Sequence, residues 1–556
     1  MNKQNIIKFI KDYDIFIFLI AGLLIIIIKN PIFYLFCDSF NITEYNSLYE
    51  PFYYFLSALL FIAWLYFFLI NSLQKYYKLK TGRNLYKDTS SFKKSFLFLL
   101  NFFSHNDPYK MDISKLPVED WKKADGVILA KVKDGHGHYH LIKRPSDANG
   151  NLISFGLPGS GKSTTEAATS ALRFNANVKP GGCGVFAISI KGDLLKFVSG
   201  KRTNIKVFTP DQADGSCHYN PLDGVSEMNW TDRRIFAENL SIIICPDEAG
   251  DNSSFFVEGA RNYLSGIILY LLYLEDENKL KEPLSFPFII DTILSTNVFD
   301  ITLEIKNCGN TIPGEYTNSF IGSNDKNCAG IWSHLCKCIR PFNTGALRTL
   351  FDGKGNCITP NDLNTGDIYI DVPQDKYKMY APAMAIIITN FLQAFMRRAD
   401  VSSHEKVTPI LFLLDEAVQL NLDFDILSQA MSTLRSKKVS LFLLMQSIAQ
   451  IEGRYGEAHS REIIDLCAYI TVFNAQDPKS RKYFQELVGR RKMLKRSSSI
   501  STSSQQSLTT QSSNTGVNIS VVDEYIFEAA DFGNLNETDP KTNETKHQVL
   551  VYANGE

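Results

Sequence analysis

Residues 151–174 read NLISFGLPGSGKSTTEAATSALRF, and the reading of this stretch decides the fold. NLISF is a short apolar run of strand character, GLPGSGKS at 156–163 is a complete G-x4-G-K-[ST] phosphate-binding loop, and STTEAATSALRF continues as a helix. In that order, strand, glycine-rich turn and helix form a cradle where backbone N–H groups and the positive end of the helix dipole meet phosphate oxygens. Gly156, Gly159 and Gly161 allow the tight backbone, with Pro158 and Ser160 completing the loop around ATP. Lys162 is expected to reach the β- and γ-phosphates, Ser163 to hold Mg2+ through its hydroxyl, and Thr164 to add a phosphate or cap contact.

Downstream, ILFLLDEA at 410–417 is an apolar strand ending in two adjacent carboxylates, the form of a Walker B strand. Asp415 is expected in the magnesium shell, and Glu416 as the base that activates water for attack on the γ-phosphate. An apolar strand followed by an N-cap and a first-turn acid is the ordinary alternative; the upstream loop favours the catalytic reading. Gln446 ends the next apolar strand, VSLFLLM (439–445), at the sheet edge where ligands of doubly wound sheets gather. It reads as a γ-phosphate or water sensor, or as a plain strand-end amide. Arg435, leading into that strand, reads either as an arginine finger delivered across a subunit boundary or as a salt-bridge partner.

Further runs share the strand character: GVILAKV (126–132), GVFAIS (184–189), IKVF (205–208), DIYIDV (367–372), YITVF (469–473) and QVLVYA (548–553). Apolar strands separated by helical stretches predict an α/β fold with a mostly parallel sheet covered on both faces. The expected nucleotide-binding domain is split, 110–225 and 353–556, around an all-alpha inserted domain at 226–352. There WTDRRIFAENLSIII and FFVEGARNYLSGIILYLLYLED show helical spacing. The Ser/Thr/Gln tract 497–515 has too little apolar content to offset its ordering entropy and reads as a disordered loop.

The N-terminal 95 residues differ in kind. Uncharged runs support two spanning helices, about 14–36 and 52–71, near the roughly 20 residues a bilayer requires. Lys3, Lys8 and Lys11 precede the first span and Lys75, Lys78, Lys80, Arg83 and Lys87 follow the second, so both termini are expected on the cytoplasmic side. No small-residue cleavage site favours a signal peptide. SFLFLLNFF at 95–103 suits either the membrane interface or the start of the soluble core.

Lys plus Arg number 58 against 59 Asp plus Glu, so no global cationic field drives nucleic-acid binding. Local patches such as Arg490, Arg491, Lys492, Lys495 and Arg496 remain, either facing DNA or solvated. Ten scattered cysteines without CxxC pairs fit a reducing compartment. Cys328, Cys336 and Cys338 near His334 are the one candidate metal cluster, and their spacing matches no zinc module.

Taken together, GLPGSGKST, SIKGDLL (189–195), YNPLDGV (219–225), LLDEAVQL (413–420) and TLRSKKVSLFLLMQSIAQIEGRYG (433–456) resemble the coupling proteins of type IV secretion and conjugation, the TraG/TraD-like membrane ATPases. The pieces occur in family order and, with the paired spans, cover nearly the whole chain. The resemblance implies a RecA-like P-loop motor domain, a ring of six subunits in the bacterial inner membrane, and an all-alpha domain that meets substrate. It also implies the partners: a relaxase-bound DNA strand, effector proteins or both, and the secretion channel. By position, Lys162, Ser163, Asp415, Glu416, Arg435 and Gln446 take the roles above. Ser189 departs from the family's frequent acid, whereas Lys191 and Asp193 fit. The tail ends with QVLVYANGE, shorter than in many members, so an extended acidic recruitment region is not expected. Two other readings compete: an FtsK-type translocase, which would carry more spans and a winged-helix module, and a weakly hydrolysing membrane adaptor that only docks cargo.

Overall fold

A computed structural model describes residues 118–133, 138–190, 192–247, 253–322, 324–401, 407–501, 514–538 and 545–553. The spans expected at 14–36 and 52–71, the segment 95–103, Lys191 and residues 502–513 lie outside the described residues.

Strands β1 (Val127–Lys133) and β2 (Tyr139–Arg144) pair antiparallel in a small sheet of their own. The run GVILAKV therefore does not join the main sheet. From Ala130 its side chains are half-buried or exposed, which a strand covered on both faces does not tolerate. The main sheet takes β3 (Asn151–Phe155), β4 (Val185–Ile190), β5 (Ile205–Phe208), β6 (Asp367–Val372), β7 (Ile410–Leu414), β8 (Val439–Met445) and β9 (Cys467–Val472), all parallel. Next come a long hairpin, β10 (Arg490–Ser501) with β11 (Asn514–Tyr525), and a short one, β12 (Asn536–Thr538) with β13 (Thr545–His547). Finally, β14 (Leu550–Ala553) lies antiparallel on β9, giving the order β14-β9-β3-β8-β7-β4-β6-β5. The expected loop at 497–515 is thus strand at both ends: Ser497 faces Asn518, and Thr515 faces Ile500. Backbone pairing between two extended arms supplies there what apolar burial does not.

Alternation within strands sorts side chains onto two faces. Leu152, Val185, Ala187, Leu411, Leu413, Phe442 and Leu444 form one core with Ala168 and Ala171 of the helix α1 (Ala168–Arg173). On that face, α2 (Asp193–Val198) adds Leu194 and Val198. Ile153, Phe155, Phe186, Ile188, Phe412 and Leu414 point the other way into a larger core. That core continues into the helices between β5 and β6: α3 (Trp230–Ile244), α4 (Ser253–Asp276), α5 (Phe286–Ser295), α6 (Val298–Asn307), α7 (Thr311–Thr317), α8 (Asp325–Ile339) and α9 (Gly345–Leu350). The helical insertion shares its apolar interior with the sheet, and residues 111–556 form one compact unit.

The helix α10 (Tyr377–Met396) lies on the same face, with Ile386, Ile388 and Phe391 buried. With the turn before it, Gln374–Met396 is long and apolar enough to cross a membrane, yet it is mostly buried and serves as a core helix. Helices α11 (Phe424–Thr433), α12 (Ile448–Asp465) and α13 (Pro478–Val488) follow β7, β8 and β9.

One charged pair is sealed into the N-terminal edge of the sheet. Asp367, which opens β6, accepts from Arg202 Nε at 2.5 Å and Nη2 at 2.8 Å, and from the Val185 N–H at 2.9 Å. Arg202 also donates to the Phe174 carbonyl at 2.9 Å, and both side chains are fully buried.

Candidate functional site

The phosphate-binding loop follows β3 at the opposite, C-terminal edge of the sheet. The Gly156 N–H donates to Met445 O of β8 and the Leu157 N–H to Asn474 O beyond β9, so the loop is hung from both neighbouring strands. A Cβ on Gly156 would stand 2.6 Å from Ser160 Oγ and 2.8 Å from Phe473 Cβ, so glycine is required there by packing. Gly161 adopts φ 100°, the left-handed region where glycine carries no Cβ penalty. The helix behind it begins as a π-helical turn, Lys162–Ala167.

Lys162, 5% exposed, donates to Gly156 O and, at 3.4 Å, to Leu157 O. Burial lowers its pKa, while Glu416, Asp415 and Glu166 oppose the shift and favour the charged ammonium. Ser163 Oγ donates to Asp415 Oδ2 at 3.2 Å, joining loop and Walker B tip across 252 positions of sequence. The two strands are not neighbours: β8 lies between β3 and β7. The residue just past the tip of β8, Gln446, consequently stands between loop and acids.

Asp415 is pushed up to about 6, first by burial and then by the adjacent Glu416 charge, against Lys162 and the Ser163 bond. The Tyr377 hydroxyl donates to the Asp415 carbonyl at 3.2 Å. Glu416 sits at φ 51°, ψ 45°, a left-handed conformation that costs a non-glycine residue on the order of 1 kcal/mol and collects at working sites. Its Oε1 accepts from Gln446 Nε2 at 2.8 Å, and Gln446 Oε1 accepts from Gln450 Nε2 at 3.0 Å. This relay orients the amide, and among the described residues Glu416 Oε2 has only a 3.5 Å contact from Gln419 Nε2.

Pro158 and Gly159 are exposed at the crown of the loop, and Thr164 is exposed with its hydroxyl 3.4 Å from Gly161 O. Among the described residues, buried Ser160 Oγ finds no hydrogen-bond partner, leaving it able to donate to a phosphate oxygen. Arg435 is not brought to this site. It is exposed in the turn before β8, at the other end of a seven-residue strand that spans roughly 20 Å. Ser189 is buried in β4, and Asp193 starts α2.

Among the described residues no group of three or more His, Cys, Asp or Glu is arranged to hold a metal, so the cysteines around His334 stand as thiols. The pairing of one hydroxyl and one carboxylate at Ser163 and Asp415 suits Mg2+, which takes one or two protein oxygens and completes its shell with phosphates and water.

Sequence reading missed Glu166. Buried beneath the loop, it accepts from Ser154 Oγ at 2.7 Å and Thr471 Oγ1 at 2.9 Å, bridging paired residues of β3 and β9. Burial pushes its carboxyl up to about 8, against those bonds and Lys162. Gln419, Gln450 and Tyr377 were also missed. A glutamine one turn beyond Gln446 on the following helix was the available signal for Gln450.

Comparison with known proteins places this geometry. The chain is 24% identical over 311 residues to the type IV secretion system-coupling protein VirD4 of Bartonella henselae, covering 53% of this chain and 46% of that protein. Protein VirD4 of Rhizobium rhizogenes is 22% identical over 343 residues, covering 57% and 47%. The chain thus spans about half the length of the curated relatives it matches. Among solved structures, the bacterial conjugative coupling protein TrwBdeltaN70 superposes with a TM-score of 0.54 at 14% identity, covering 74% of this chain and 86% of that one. TrwB in complex with ADP and Mg2+ superposes at 0.52 with 13% identity, covering 71% and 83%. These likenesses show the fold, an α/β arrangement around a mostly parallel sheet. The model of the family described as type IV secretory system conjugative DNA transfer matches residues 110–518, most of the chain, and the chain belongs to that family.

Proposed function

We propose that this protein is a membrane-anchored ATPase that recruits a relaxase-bound DNA strand, effector proteins or both, and couples ATP hydrolysis to their export through a type IV secretion system. The observation that carries the reading is the Ser163–Asp415 contact beside a Glu416 held by Gln446. Mg2+, when bound with ATP, neutralises charge on the β- and γ-phosphate oxygens. Ser163 and Asp415 are the residues that would hold it. Lys162 Nζ leans on the Gly156 and Leu157 carbonyls and presents its charge to the β- and γ-phosphates. Gln446 occupies Glu416 Oε1, so Oε2 is the atom that accepts the proton of the attacking water.

The distance of Arg435 from its own loop fits a finger given to the neighbouring subunit of a homo-hexamer, where its charge stabilises the transferring phosphoryl group. Spans at 14–36 and 52–71 anchor the ring in lipid of the bacterial inner membrane, with both termini and the motor in the cytoplasm and residues 226–352 facing cargo. The test is ATP turnover by the full-length protein, with and without single-stranded DNA. Lys162→Ala should reduce turnover to background and abolish export while leaving membrane insertion intact. Wild-type protein that binds ATP but never hydrolyses it, even with DNA, would make this chain an adaptor.

A further inference from the structure

The C-terminal hairpin brings one aromatic ring to the phosphate-binding loop. His547 ends β13, opposite Asn536 of β12, and the next residue closes the hairpin base through Gln548 N–H to Leu535 O at 3.0 Å. Three residues on, β14 is pinned to β9, with Leu550 opposite Val472. Held from both sides, the His547 ring lies against Gly161. Its Cγ and Cδ2 stand 2.9 Å, and Nδ1 3.2 Å, from the point a Cβ on Gly161 would occupy. Gly161 thus serves twice, adopting φ 100° and leaving room for the imidazole.

Which part of a nucleotide this ring meets follows from the order of the strands. Asp415, Glu416 and Gln446 stand at the tips of β7 and β8, all on one side of β3, so the γ-phosphate belongs there. The loop carries the phosphate chain past the end of β3. The opposite end of the nucleotide, ribose and base, therefore leaves on the β9 side, the side from which β14 and the hairpin before it arrive. An imidazole there offers a flat π-face, and base stacking on such rings tolerates any base because every base has one.

We propose that His547 is a base-binding residue of the nucleotide site, stacking on the base-and-ribose half of ATP while Lys162 and Ser163 hold the phosphates. This rests on the ATP reading above, and the test separates the two. Calorimetric titration of the full-length protein in detergent micelles, with Mg2+ present, would use ATP and inorganic tripolyphosphate as parallel probes. His547→Ala should weaken ATP roughly tenfold and leave tripolyphosphate unchanged, which also reports that the loop remains folded. His547→Phe should restore most of the lost ATP affinity, and Lys162→Ala should weaken both probes. Unchanged ATP affinity in His547→Ala, or an equal loss for both probes, overturns the role of His547 alone. Wild-type protein that binds neither probe overturns the nucleotide reading, and this assignment with it.

Discussion

The two ends of the same parallel strands hold two groups of buried charge, built on opposite terms. At the N-terminal edge, Asp367 is met by both arms of the Arg202 fork and by a backbone N–H, and the guanidinium spends a remaining donor on a carbonyl. At the C-terminal edge, two like charges stand next to each other in Asp415 and Glu416, and Lys162 bonds loop carbonyls rather than either acid. Where the chain itself answers every lone pair, the charge is architecture. Where like charges are left partly unanswered and a carboxyl is displaced from its ordinary range, the missing partner comes from outside, as perturbed groups at working sites do.

That contrast can be broken from either end. The largest effect is expected from Glu416→Gln, which keeps shape and hydrogen bonding but removes the base: turnover should fall by up to about 10⁴-fold while ATP affinity, measured by titration, is retained. Unchanged turnover would move the base elsewhere. Next is Asp367→Ala, which strands the Arg202 guanidinium in the interior and should cost about 3–5 kcal/mol. It should appear as a lower midpoint of denaturant unfolding with normal turnover per folded molecule, and a turnover defect at full stability would erase the distinction between the edges.

Per unit of pH, the smallest effect belongs to Glu166. Its folded pKa of about 8 lies above the ordinary 4.5, so between these values the unfolded chain has released a proton that the folded chain keeps. Stability therefore falls as pH rises through that window, by about 1 kcal/mol per pH unit. Glu166→Gln removes the slope, and the stability difference between variant and wild type should widen from pH 5 to pH 8. Parallel pH profiles would show Glu166 already ionised in the native protein.

Much of this was legible in sequence because it is written in contiguous strings. β3, β5, β6 and β8 coincide with their apolar runs, since strands of a covered parallel sheet read as short, mostly apolar stretches. The loop residues and Asp415–Glu416 were likewise local words, and the structure joins them through Ser163. What escaped was either locally polar or long-range. YHLIKR of β2 and the basic and Ser-rich arm of β10 are strands by pairing, with little apolar signal of their own. The bond from Thr471 to Glu166 spans 305 positions, and nothing near either residue announces the other. The left-handed turn at Glu416 is imposed by the tip of β7 and not by a residue type that favours it.

The continuous apolar interior that joins α3–α9 to one face of the sheet has a mechanical consequence. Close-packed interiors switch between discrete arrangements and do not bend smoothly. Helices α3–α9 are therefore not tethered freely to the sheet but move with it. On the proposed function, force from one catalytic cycle would reach whatever rests on those helices as displacement of the compact unit 111–556 as a whole.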